Sequence, residues 1–288
     1  METLIQQIIN GLVLGSMYAL VALGYTMVYG IINLINFAHG EILMVGAMVS
    51  WTVISALADT GMPGWLLMLI GLACAIVVCA LLNFSVEKIA YRPLRSAPRL
   101  APLITAMGMS LLLPTDPFDL GGPVITVTQC LILGLTVVIL AGLMYLVNFT
   151  KLGRAMRATA ENPRVAGLMG VKPDFIISTT FVIGAALAAV AGLMWAANYG
   201  TVQHTMGFMP GLKAFTAAVL GGIGNLAGAV VGGVLLGLIE AIGAGYLGDL
   251  TGGVLGSHYA DIFAFIALIL VLTLRPSGLL GERVADRA

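Results

Sequence analysis

An all-α polytopic bundle of about 8–10 membrane-spanning helices, one of them broken, is the fold class this sequence predicts. Three observations carry it. First, 60% of the 288 residues are apolar and 9% are charged, with mean hydropathy +1.06. A soluble domain carries about 25% charge, so a soluble enzyme, a nucleic-acid binder and a disordered chain are excluded. Second, uncharged stretches run over 3–40, 42–58, 60–86, 100–115, 120–150, 175–212, 214–239 and 262–274, several of them as long as the ~20 residues a spanning helix needs. Third, cations and acids alternate along the chain between these stretches.

Of the thirteen Lys and Arg, all but Lys213 fall in three tracts: Lys88, Arg92, Arg95 and Arg99; Lys151, Arg154, Arg157, Arg164 and Lys172; and Arg275, Arg283 and Arg287. Loops rich in Lys and Arg stay in the cytoplasm, so these tracts are expected inside. Asp59, Asp116, Asp119, Asp249 and Asp261 then mark outward connections. Parity follows. A hairpin of about 100–113 and 124–149 separates the first two tracts, and four passes, about 175–197, 209–224, 228–247 and 258–274, separate the last two. Upstream, 64–86 runs inward and 42–58 outward. Residues 4–37 would span ~50 Å as one helix, beyond a ~30 Å hydrocarbon core. They form either two short passes or one tilted helix and a broken segment, and the N-terminal side stays open. The chain is expected to be one domain, 1–288, with a cytoplasmic loop over about 150–174 and its C-terminus inside. Residues 2–10 hold no cation, so no cleavable signal peptide is expected. Cys74, Cys79 and Cys130 lack metal-ligand spacing and are expected to be buried small apolar residues.

Two clusters interrupt the apolar runs. Residues 31–41 (IINLINFAHGE) place Asn33, Asn36, His39, Gly40 and Glu41 in an apolar setting. Polar groups at membrane depth are expected where a helix breaks and its backbone lines a cavity; an interfacial loop is the alternative. Residues 220–228 (LGGIGNLAG) suit either a second break or a short turn at the cytoplasmic face. Glu41 and Glu240 are the acids placed within apolar regions. An acid at the bilayer centre should face the protein interior or water, so each lines a path or makes an interhelical hydrogen bond. His39 is expected to satisfy a neighbour. Lys213 is expected to snorkel to the outer interface, contact with an incoming carboxylate being the alternative.

The second basic tract predicts two short helices. Arg157 and Glu161, four apart, can pair on one face. Asn162 can cap a new helix with Pro163 at its first position, and Gly170 suits the left-handed residue that ends it. The second helix shows Val165, Leu168 and Met169 together and is too short to stand alone in water, so it calls for a partner or for the membrane surface. No phosphate loop, H-E-x-x-H or serine nucleophile elbow occurs. No catalytic residue, metal ligand or cofactor site is expected, and if ATP drives this protein another chain hydrolyses it.

Several of these residues carry a family likeness. Gly15–Gly30 (GSMYALVALGYTMVYG) followed by Ile35–Glu41 (INFAHGE) resembles the membrane subunit of bacterial high-affinity branched-chain amino acid importers. Residues 90–95 (AYRPLR), the loop 152–170, 209–224 (MPGLKAFTAAVLGGIG) and 275–281 (RPSGLLG) agree, and the H-type permease, partner of an M-type permease, is the nearest type. The resemblance implies an ABC importer of the inner membrane: two permeases, two cytoplasmic ATPases and a periplasmic protein that delivers leucine, isoleucine or valine. It further implies that 158–170, with Arg157, Glu161, Asn162, Pro163, Ala166, Leu168 and Gly170, docks on an ATPase. Asn33, Asn36, His39, Gly40 and Glu41, with Glu240, would line the translocation path. Related permeases carry urea or short amides. An ion-coupled transporter using Glu41 and Glu240, or a passive channel, is the alternative of a different class. One departure from the pattern is that residues 111–123 (LLLPTDPFDLGGP) are short where relatives carry a longer outward segment.

Overall fold

The computed structural model describes residues 2–32, 35–91, 126–199, 202–203, 205–250, 260–275 and 277–281. Their helices, in chain order, are α1 (Glu2–Ile32), α2 (His39–Leu57), α3 (Gly64–Val86), α4 (Thr126–Phe149), α5 (Lys151–Glu161), α6 (Pro163–Leu168), α7 (Pro173–Tyr199), α8 (Phe208–Gly221), α9 (Leu226–Leu250) and α10 (Ala260–Leu274). Six of them, α1 to α4, α7 and α9, are long and apolar enough to cross a membrane, and α8 is a shorter apolar helix. With the 15-residue α10 this makes a polytopic helical bundle. The expected pass over 100–113, with Arg92, Arg95, Arg99, Arg283 and Arg287, lies outside the described residues.

The N-terminal stretch is one helix. Gly11 and Gly15 do not break α1; they let α9 approach it, because a Cβ at Gly15 would stand 2.7 Å from the Val234 Cα. Gly11 meets Leu238 and Ala241, while Ala19 meets Gly233, so the two helices run antiparallel at backbone contact. Small residues permit such approach in lipid, where apolar side chains gain nothing by associating. The last turn of α1 (Gly30, Ile31) shares a cavity wall with Met156, Arg157 and Ala160 of α5. Its first turn therefore lies on the face opposite the α5–α6 loop. Lys88 follows Glu87, which is bonded to the start of α7 through Ser178, and Ser277 and Gly281, just beyond Arg275, flank the same cavity as Arg157. The described members of all three basic tracts thus share one face, and the α2–α3 connection with Asp59 lies on the other.

Two helices start inside the bundle. His39, the first residue of α2, lies beside Gly24 of α1, eight residues before the end of that helix, or ~12 Å in from the basic face at 1.5 Å per residue. α7 runs on to Tyr199, and Val202 then packs on Ala47 and Ala196. From there the chain returns to Gly207, which touches Gly40 at the start of α2. The packing repeats under exchange of α1, α2 and α3 with α7, α8 and α9: α1 lies on α9 as α7 on α3, α2 on α7 as α8 on α1, and α2 on α3 as α8 on α9. The two halves are inverted relative to one another, and the starts of α2 and α8 meet inside the bundle.

The glycine cluster over 220–228 is the turn between α8 and α9, on the basic face. Gly222 (φ 108°) and Gly224 (φ 98°) take left-handed conformations, and the Asn225 side chain accepts from the Gly228 amide at 3.1 Å to cap α9. The C-terminal segment closes over it: the Leu279 and Leu280 amides donate to the Leu220 and Gly221 carbonyls, each at 2.9 Å. These are two of the carbonyls a helix end leaves without a partner. Of the cysteines, Cys79 is buried and Cys74 half-buried, both free; the Cys130 side chain lies outside the described residues.

Candidate functional site

The mid-depth crossing is built from the Asn36–Glu41 cluster. The chain turns where the His39 amide donates to the Asn36 carbonyl at 3.0 Å, and α2 starts with no side-chain cap at Ala38. Asn36 is drawn away from capping: its Nδ2 donates to Asn83 Oδ1 of α3 at 3.4 Å, and Asn83 Nδ2 donates to the Phe181 carbonyl of α7 at 2.6 Å. Both amides are buried, so α3 and α7 are tied to the break by a ladder that supplies its polar groups with partners, as buried polar groups require. Asn33 lies outside the described residues.

The His39 ring is fully buried, against the faces of two glycines and near the Val21 backbone; a Cβ at Gly24 would stand 2.2 Å from Nε2, and one at Gly184 3.6 Å from Cε1. Among the described residues neither ring nitrogen has a hydrogen-bond partner. The Tyr25 ring packs edge-on at 4.9 Å. Gly40 meets Gly207 and Gly211 of the α8 start, the Gly207 carbonyl being 2.6 Å from where a Gly40 Cβ would be. Gly207 and Gly211, four apart, have the spacing of close helix approach, the signal in the sequence that marked this crossing. Glu41, 9% exposed, stands in the first turn of α2, where the helix dipole favours an acid. Its Oε2 is 2.8 Å from the place of a Gly207 Cβ. A pocket of about 70 Å³ lies here, walled by Tyr25, Phe37, Gly40, Glu41, Phe208 and Gly211 among others.

Lys213 departs from expectation, and Glu240 takes one of its two expected roles. Lys213 does not snorkel outward: it is buried, with its Nζ 2.7 Å from Glu240 Oε1. The Tyr18 hydroxyl donates to Glu240 Oε2 at 3.0 Å, and the Lys213 ammonium stands 5.8 Å from the centre of the Tyr18 ring. The interhelical role, rather than a path-lining one, is what the geometry gives Glu240. Because α8 begins at mid-depth, Lys213 on its second turn has no interface within reach. One further buried acid was hidden in the first basic tract: Glu87, 1% exposed, accepts from Ser178 Oγ at 2.7 Å.

On the basic face, α5 is capped by Thr150, whose hydroxyl oxygen accepts from the Gly153 amide at 3.1 Å. Arg157 and Glu161 do not pair. The Arg157 guanidinium donates to the Val147 carbonyl at the end of α4, and Glu161 is left exposed. The α6 chemistry is as the sequence predicts. Asn162 Oδ1 accepts from the Arg164 and Val165 amides at 3.1 and 3.2 Å, Pro163 is the first helical residue, and Gly170 has φ 86°. Ala166 is buried and faces the protein, whereas Leu168 (87% exposed) and Met169 (81%) stand out beside Val165.

The chain matches known proteins over nearly its whole length. The family model described as the permease component of the branched-chain amino acid transport system matches residues 7–272. BraD of Pseudomonas aeruginosa, a high-affinity branched-chain amino acid transport system permease protein, is 45% identical over 98% of this chain and 97% of its own. LivH of Escherichia coli K12, named likewise, is 44% identical over the same shares. A probable branched-chain amino acid transport permease of Methanocaldococcus jannaschii is 28% identical over 94% and 91%. The alignment with BraD runs over 307 positions against 288 residues here, so that relative holds residues this chain lacks. With a helical, polytopic architecture and these matches together, the chain belongs to the family of branched-chain amino acid transport permeases.

Proposed function

We propose that this chain is the non-catalytic, membrane-spanning subunit of an ATP-driven importer of leucine, isoleucine and valine. It works beside an M-type permease, two separate ATPases on the cytoplasmic face and a periplasmic binding protein, in a bacterial inner membrane. The basic face, with α5, α6 and the C-terminus, is its cytoplasmic side. The observation that carries the reading is α6: a six-residue helix fixed by its own cap and presenting Val165, Leu168 and Met169 to water. A helix this short draws its order from neighbours, and an exposed apolar face on a charged surface marks a contact with another protein. Asn162, Pro163 and Gly170 shape the docking element, Arg157 ties it to α4, and Ala166 seats it on the permease. The solute path runs past Asn36, His39, Gly40 and Glu41, where the starts of α2 and α8 meet. Ion coupling is disfavoured because Glu240, one of the two acids it would use, is neutralised by Lys213.

Reconstitution with the partner permease, the ATPases and the binding protein tests this, with ATP-dependent uptake of radiolabelled leucine as the readout. In that system Leu168→Glu is expected to lower uptake at least about tenfold, from loss of one desolvated apolar contact, while the isolated permease keeps its thermal stability. Wild-type uptake in the variant removes α6 from the coupling role. A cysteine at Met169 is expected to be labelled from the cytoplasmic side only and one at Met62, 40% exposed on the opposite face, from outside only. The reverse pattern inverts the proposed orientation.

A further inference from the structure

The pocket at the half-helix crossing holds an unusual pair of groups. Glu41 is nine-tenths buried and, among the described residues, has neither a hydrogen bond nor an ion pair. Lys213, a cation on the neighbouring α8, is committed to Glu240. Beside Glu41 lies the start of α8, whose N-cap Gly207 supplies no side chain to the first turn. The amides of Phe208 and Met209 therefore have no intrahelical acceptor, as at any helix start, and carry the positive end of the helix dipole. Glu41, Gly207 and Phe208 thus wall one small space inside the bundle, with the positive end of the α8 dipole beside the carboxylate. Half-helix N-termini at this depth are where transporters hold anionic groups of their solutes.

We propose that this pocket binds the head of an α-amino acid, the ammonium on the Glu41 carboxylate and the carboxylate on the first amides of α8. This rests on the importer reading above. An α-amino acid carries its two charges on adjacent atoms, and Glu41 Oε2 lies 2.8 Å from the Cβ place of Gly207, the residue that opens α8, so the two receptors are adjacent as well. The rings of Tyr25, Phe37 and Phe208 line the same space, and aromatic faces favour an ammonium. Gly40, Gly207 and Gly211 wall the space while packing on one another, which fixes the start of α8 against Glu41. The volume, about 70 Å³, compares with ~30 Å³ for one water in the liquid. It admits the head and leaves a branched side chain to project past Phe208, which is 63% exposed, to the surface of the chain. The permease therefore recognises what leucine, isoleucine and valine share, and side-chain selection falls to its partners.

The test uses the complete reconstituted importer and leucine, scoring leucine moved per nucleotide hydrolysed. Glu41→Gln keeps size and an acceptor but loses the charge, and is expected to lower that ratio about tenfold or more, the worth of one hydrogen bond to a charged group. Glu41→Asp is expected to fall between. In Glu41→Cys, a thiol reagent that installs a carboxylate is expected to restore uptake, and a neutral reagent of the same size is not. A carboxylate that merely caps α8 predicts near wild-type transport by Glu41→Gln and equal effects of the two reagents; either result overturns the assignment, including the case in which neither reagent restores. If the wild-type assembly itself takes up no leucine with ATP, the importer reading fails first.

Discussion

Lys213→Met is expected to be among the most destabilising single substitutions in this chain. The variant leaves the Glu240 carboxylate buried with its cation gone and the Tyr18 hydroxyl as its recorded remaining partner. Removing one partner of a buried pair costs about 3–5 kcal/mol, a large part of the 5–15 kcal/mol that holds a typical domain together. Glu240→Met takes the carboxylate away from the buried Lys213 ammonium and is expected to destabilise as well. The double variant Lys213→Met, Glu240→Met removes both charges and replaces them with apolar side chains that fill the space. It is expected to regain most of the loss, because a well-packed apolar pair matches a buried ion pair of similar volume. Thermal unfolding of the purified protein in detergent, run as a double-mutant cycle, checks this. Additive losses in the double variant would mean that the two residues are held independently. The pair joins α8 to α9 next to Tyr18 of α1, so it fixes how deep the short helix α8 begins, and with it the place of Gly207 against Gly40.

The sequence made the polytopic helical class, the common face of the described basic tracts and the α6 cap legible because each depends on residues close together in the chain. Charge depletion sets the solvent, and clusters of Lys and Arg mark a face without any contact being known. Asn162, Pro163 and Gly170 act within one turn of themselves. Lys213 was misplaced, and the role of Glu240 was left open, because their meaning lies in a contact 27 residues apart. A lone cation after an apolar run looks interfacial until α8 is seen to start inside the bundle. The same holds for Glu87, which sits in a basic tract by sequence and in the core by structure. His39 is seated by Gly24 and Gly184, whose bare faces make room for its ring and which no local pattern selects. The inverted repeat went unread because it is carried by which helices pack together, not by residue identity. Arg157 and Glu161 have the spacing of a helix pair, yet Arg157 reaches the carbonyl at the end of α4 instead, and an exposed ion pair, worth a few tenths of a kcal/mol, is too weak to dictate the rotamer.

Gly237→Ala is expected to cost about 1–3 kcal/mol or more, by overpacking, even though alanine is the better helix former. A methyl at that position would lie 2.2 Å from the Gly15 amide nitrogen and 2.3 Å from its Cα. Those atoms are backbone and cannot rotate away, so α1 and α9 must part. Parting two helices in a membrane opens the whole seam, because Gly11, Gly15, Gly233 and Gly237 touch along its length and the association rests on contact, not on apolar burial. The matched control is Gly142→Ala in α4, where a Cβ meets nothing within 4 Å. There the substitution is expected to be neutral or to stabilise by about 0.5–1 kcal/mol, the helix preference of alanine over glycine. Unfolding midpoints of the two variants measured side by side should move in opposite directions, and a Gly237 variant as stable as the wild type would mean that the seam is loose. A tight seam also constrains the transport cycle. In the proposed importer, if α1 and α9 cannot slide or part, the movement that alternates access falls elsewhere, at the contact of α2 with α8, where Gly40, Gly207 and Gly211 meet across two helix starts and Glu41, among the described residues, has no hydrogen bond or ion pair.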